Sequence, residues 1–147
     1  MWPLLFSLLA IFAASLQALQ LSLPDEVLNL VNQARSTVGC SPLQIDYRLV
    51  NAAQQYANCM ASFKQSYDLC GSGSQWIDRV RNSGYSFSRV GEAVAVGETV
   101  SGAVNLWMEK ERRGKVLLDC GFIHTGVAVA RDNEGMLYWV QYFGVLR

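Results

Sequence analysis

The chain has 147 residues, 51% of them hydrophobic, with twelve acidic residues balancing twelve basic ones. That length suits one domain with a substantial core, and the composition argues against disorder. With no net charge, no overall field steers nucleic acid or an anionic membrane toward the protein, and Glu109 and Glu111 dilute the basic Arg112, Arg113 and Lys115.

The first 24 residues carry no ionisable side chain. Leu4 to Ala14, "LLFSLLAIFAA", has the length of a secretory h-region and is too short to span a bilayer. Small residues at Ala13-Ala14-Ser15 and at Ala18 offer cleavage contexts, so residues 1–20 read as a signal peptide cut somewhere in 15–20. No later apolar run approaches spanning length, and the mature product is expected to be soluble, secreted and extracellular.

Pro24-Asp25-Glu26 opens a first helix, since proline suits a first turn and carboxylates suit the positive end of the dipole. Val27, Leu30, Val31 and Ala34 recur at helical spacing until Gly39. Asp46 is the expected N-cap of a second helix, with Leu49, Ala53, Tyr56, Met60 and Phe63 as its buried stripe. Lys64 to Gln75 is a polar loop. A short third helix runs from Trp76 through Ile77 and Val80 toward Gly84. Glu92 to Gly97 reads as a strand. Thr99 caps a fourth helix whose inner face is Val100, Ala103, Val104, Trp107 and Met108. Gly126 to Arg131 and Met136 to Phe143 form a hairpin around Asp132-Asn133-Glu134-Gly135. Helices followed by a terminal antiparallel hairpin predict an α+β domain of α/β/α layers.

Four cysteines in an exported chain read as two disulfides, with three pairings open. Cys59 and Cys70 bracket a short polar segment and could close a local loop, leaving Cys40 to reach Cys120. A zinc site is the rival, but there is no CxxC pair and His124 is the sole histidine. The chain has no G-x-S-x-G elbow, no Walker loop and no G-x-G-x-x-G after a strand. His124 reads as a strand-start residue that hydrogen-bonds locally, so no residue is assigned as catalytic.

Three blocks in order carry a resemblance: "LNLVNQARSTVGCSPLQIDYRLVNAAQQYANCMA" with Asn32, Arg35 and Pro42-Leu43, "WIDRVRNSGYSFSRVGEAVAVGETVSGAVNLWM", and "DCGFIHTGVAVARD" with "YWVQYFG". Residues 25–144 resemble the CAP superfamily of cysteine-rich secretory proteins, antigen-5 allergens and pathogenesis-related proteins. The likeness is strongest to its short bacterial and fungal branch of SCP domains. The resemblance implies a three-layer α/β/α sandwich with a small antiparallel sheet. Its cleft typically presents two histidines and two acidic residues, and sometimes holds a divalent metal.

The cleft carries over unevenly. Gly91-Glu92 matches the middle motif, but Ala93 stands where asparagine is usual. The first histidine position falls near Ser66 or Tyr67 and the second at Arg113. The other acidic position falls near Lys110, with Glu109 and Glu111 beside it. His124 matches a different position, outside the cleft. The branch also has cysteines at the Cys40 and Cys120 positions, which supports that pairing. The resemblance therefore implies a degenerate cleft with no metal or cofactor, and a monomeric, non-enzymatic protein that binds a sterol, a fatty acid or an extracellular protein in defence or host interaction. Phe63, Tyr67 and Trp76 are the expected ligand contacts. An effector that binds a protein partner through the cleft rim is the second expectation, and a hydrolase the remotest.

Overall fold

The computed structural model describes residues 21–64, 70, 75–109 and 111–147, with only the backbone of 111–113 included. The elements are α1 (Leu23–Thr37), β1 (Gln44–Ile45), α2 (Tyr47–Phe63), α3 (Gln75–Asn82), β2 (Phe87–Val96), α4 (Val100–Glu109), α5 (Glu111–Leu117), β3 (His124–Arg131) and β4 (Leu137–Leu146).

Capping chemistry places the helices. Ser22 accepts from the Asp25 N–H at the start of α1, with Pro24 in the first turn and Asp25 and Glu26 against the positive dipole end. Asp46 caps α2 through the Arg48 N–H, and α2 ends on Lys64 in the left-handed region at φ 53°. Thr99 accepts from the Gly102 N–H at the start of α4.

The sheet order is β1-β3-β4-β2, with β1 parallel to β3 and the other pairs antiparallel. Helices cover both faces. On one side α1, α4 and α5 pack on Ala93, Ala95, Val127, Trp139 and Phe143. On the other, α2 and α3 pack on Ala128, Tyr138, Val140 and Tyr142. Tyr138 to Gly144 of β4 are buried without interruption, as a strand covered on both faces must be. The result is the expected three-layer α/β/α sandwich.

Two close approaches require glycine. A Cβ on Gly126 would lie 2.2 Å from the Val50 backbone nitrogen, which lets α2 rest directly on β3. A Cβ on Gly144 would lie 2.5 Å from the Tyr85 ring, which occupies that space.

Several elements differ from the sequence reading. β2 starts at Phe87, five residues before Glu92, because the Phe87–Gly91 stretch pairs with the end of β4 despite its exposed polar residues. The helix α5 and the two-residue β1 were not expected. Phe63 is 54% exposed at the last residue of α2, where the stripe has run past the sheet, and Met108 is also exposed.

Disulfides join Cys40 to Cys120 and Cys59 to Cys70. Beside the first, Arg35 is fully buried and donates to the carbonyls of Ser41, Leu117, Asp119 and Phe122. Asn32 brackets the adjoining loop by accepting from the Leu43 N–H at 2.8 Å. These two side chains hold the turn before β1 against the segment that leads into β3.

Candidate functional site

On the α2/α3 face of the sheet, Glu92 of β2 lies opposite Tyr142 of β4. The Tyr142 hydroxyl donates to the Glu92 carboxylate and accepts from Arg79 Nη1 at 2.9 Å. Burial, and then the Glu92 charge, push the Tyr142 hydroxyl well above its ordinary pKa, against the opposing Arg79. It is therefore a fixed neutral relay between an anion and a cation.

Arg79 is held from several directions. Its guanidinium lies 4.2 Å from the centre of the Tyr56 ring and donates to the Cys70 carbonyl, next to the Cys59–Cys70 disulfide. Trp76, one helical turn earlier on α3, stacks on Tyr142 with ring centres 5.7 Å apart. Trp76, Tyr142, Glu92, Arg79 and Tyr56 thus form one packed group where the resemblance implies the cleft.

A divalent ion of the kind the resemblance implies does not suit this donor set. Among the described residues no three His, Cys, Asp or Glu side chains gather closely enough to hold one. Arg79, coupled to Glu92 through Tyr142, adds a fixed positive charge that opposes a cation.

His124, at the start of β3, lies two strands from Glu92. It shares a 2.9 Å hydrogen bond with the Tyr85 hydroxyl through Nδ1. Arg48 lies over the Tyr85 ring, and Asp46 pairs with Arg48 at 2.7 Å. Burial, and then the Asp46 charge, push the Tyr85 hydroxyl up to about 12.

The remaining expected residues scatter. Trp76 is half-buried in the cleft floor, while Phe63 is exposed at the end of α2. Glu109 is exposed at the end of α4. Tyr67 lies outside the described residues, as do the side chains of Glu111 and Arg113. Sequence reasoning overlooked Arg79 and Tyr142. The signal for Arg79 was its i+3 spacing from Trp76, which places both on one face of α3.

The other face of the sheet carries an apolar groove. α1, the start of α4 and the hairpin border an open space of about 630 Å³ lined by Leu23, Leu30, Val100 and Leu137, with the charged Glu26 and Arg131 also lining it. Among the described residues no carboxylate lies within ion-pair distance of Arg131.

A sequence model of the cysteine-rich secretory protein family, CAP, matches residues 28–143. No curated protein matches by sequence. An outer surface protein from Borrelia burgdorferi superposes with a TM-score of 0.75 at 18% identity, covering 86% of this chain and 97% of that one. An extracellular protein containing an SCP domain from Bacillus anthracis str. Ames gives 0.73 at 21% identity, covering 83% of this chain, which spans only 40% of it. Venom allergen-like protein 4 of Schistosoma mansoni gives 0.59 at 17% identity, with 85% and 90% covered. At these identities the likeness is one of fold.

Proposed function

The chain belongs to the CAP family, the cysteine-rich secretory proteins, and from that membership we propose an exported protein that binds a lipid and performs no catalysis. The observation that carries this reading is the apolar groove between α1 and α4. Its volume falls within the range of about 300–1,000 Å³ that suits small-molecule ligands. Leu23, Leu30, Val100 and Leu137 suit an acyl chain, and Arg131, which shares the lining with Glu26, offers a cation to a carboxylate. A fatty acid matches that pairing of wall and cation better than a sterol, which offers only a hydroxyl.

Export is supported by the signal-like residues 1–20 and by two disulfides, which persist in oxidising compartments. Against catalysis stands the site itself, where Tyr142 already engages Glu92 and Arg79 holds the Tyr142 hydroxyl. Native mass spectrometry of secreted protein tests the reading. A co-purifying fatty acid, lost in Val100→Trp, supports it. A lipid-free mass with retained binding to a cell-surface protein would replace it with the effector reading.

A further inference from the structure

The chain that forms β1 leaves the sheet early. Asp46 donates its N–H to the Thr125 carbonyl, but its own carbonyl accepts from the Leu49 and Val50 N–H groups as α2 begins. Ile123 and Thr125 turn their carbonyls toward β1, so strand alternation turns the N–H and C=O of Val127 to that same side. Among the described residues neither Val127 group has a hydrogen-bond partner, although the residue is only 7% exposed. Buried main-chain groups are paired in the great majority of proteins, so this donor and acceptor mark a place for a ligand's backbone.

The gap admits a chain end better than a strand running through. On one side Asp46 holds the Thr125 carbonyl, and on the other the Gln54 amide holds the Val129 carbonyl at 3.1 Å. Beside the gap lies a hollow of about 230 Å³ walled by Leu28, Ile45, Tyr47, Val50 and Val127 itself. That is below the range of about 300–1,000 Å³ for drug-sized ligands and suits one large apolar side chain. Asp25 is the one charged side chain among the described residues that line it. Ser22 already accepts the Asp25 and Glu26 N–H groups through its hydroxyl and carbonyl, so this wall offers a carboxylate. An ammonium suits that wall, whereas a carboxyl terminus would meet like charge.

We propose that this hollow captures the free amino terminus of a partner peptide whose first residue is large and apolar. The ammonium sits between the Asp25 carboxylate and the Val127 carbonyl, the first carbonyl accepts from the Val127 N–H, and the first side chain lies among Leu28, Ile45 and Val50. The hollow shares no lining residue with the α1/α4 groove, so it is independent of the lipid reading.

Titration calorimetry of the secreted protein with Leu-Ala-Ala-amide tests it, against the N-acetyl form, Gly-Ala-Ala-amide and free leucine. The tripeptide with both the free amine and the leucine side chain should bind at least about tenfold more tightly than either altered peptide. Free leucine should also bind more weakly, because it brings a carboxylate to a wall that already carries one. Asp25→Asn, with its fold intact by circular dichroism, should erase most of the preference for the free amine. Hydrogen exchange at the Val127 amide should slow when Leu-Ala-Ala-amide is bound. Equal affinity for the acetylated peptide would remove the amino-terminal reading. Free leucine bound as tightly as the tripeptide would make an amino acid the ligand and overturn the peptide partner. Binding that leaves exchange at Val127 unchanged, or no binding by any probe, would reject the site.

Discussion

Arg35 Nη1 donates to the Leu117 carbonyl at 2.8 Å across 82 residues of sequence, tying the end of α1 to the end of α5. The same guanidinium serves three more carbonyls, so it replaces a stretch of secondary structure with one side chain. Arg35→Met would take this donor from the buried Leu117 and Phe122 bonds. The expected loss is roughly 3–5 kcal/mol, read as a lower urea midpoint. Arg35→Lys should recover only part of it, because an ammonium cannot span the fork.

The two disulfides should differ in weight. Cys40–Cys120 closes a separation of 80 residues and Cys59–Cys70 one of 11. The chain-entropy relation gives about 4.5 kcal/mol for the first and about 3 kcal/mol for the second. Paired serine variants compared by thermal melting should show the larger loss for Cys40/Cys120.

The cleft should bind no zinc at micromolar affinity, because Tyr142 already engages Glu92 and the Arg79 charge sits on the same hydroxyl. Tyr67→His with Arg113→His would restore imidazoles at the two histidine positions of the family pattern, and calorimetry should then detect zinc. Zinc bound by the parent and lost in Glu92→Ala would sink this account.

Stability should decline at both ends of the pH scale. Hydrogen bonds from the Arg48 guanidinium hold Asp46 below the usual carboxylate range, and Asp119 is held there, against its burial, by Arg89 and the Gly121 N–H. Lowered pKa values stabilise the fold above about pH 4, and that contribution fades as the pH falls through the folded values. Tyr85 works in the opposite sense. Its pKa is raised to about 12, so its contribution is complete below the unfolded value of about 10 and disappears between the two. An absorbance titration should show a late-ionising tyrosine near pH 12 that is missing in Tyr85→Phe.

Elements whose signals are local were legible in the sequence. The Asp46 cap, the Thr99 cap and the hairpin turn each depend on residues within a few positions. β1 was not legible, because two residues carry no periodicity and the strand exists only through its bonds to Ile123 and Thr125. α5 was hidden because the sequence there is a charged run with no apolar stripe, and the helix is held by tertiary contacts with α4 and β2. The site divides in the same way. Glu92 was marked by its motif, whereas Tyr142 read as one more residue in an apolar run until β2 paired beside it. The groove is assembled from α1, α4 and β4, so no single segment announces it.

The brevity of β1 leaves β3 with a bare margin. The bonds from Gln44 and Asp46 to Ile123 and Thr125 show that odd-numbered carbonyls of β3 point away from β4. Beyond Thr125 the outward groups belong to Val127, Val129 and Arg131, and among the described residues the Gln54 side chain takes one of them, donating to the Val129 carbonyl at 3.1 Å. A glutamine on a neighbouring helix thus stands where another strand would dock. Unpaired margins of this kind invite chains to stack edge to edge, and this amide, with α1 and α2 packed against β3, leaves less of the margin open.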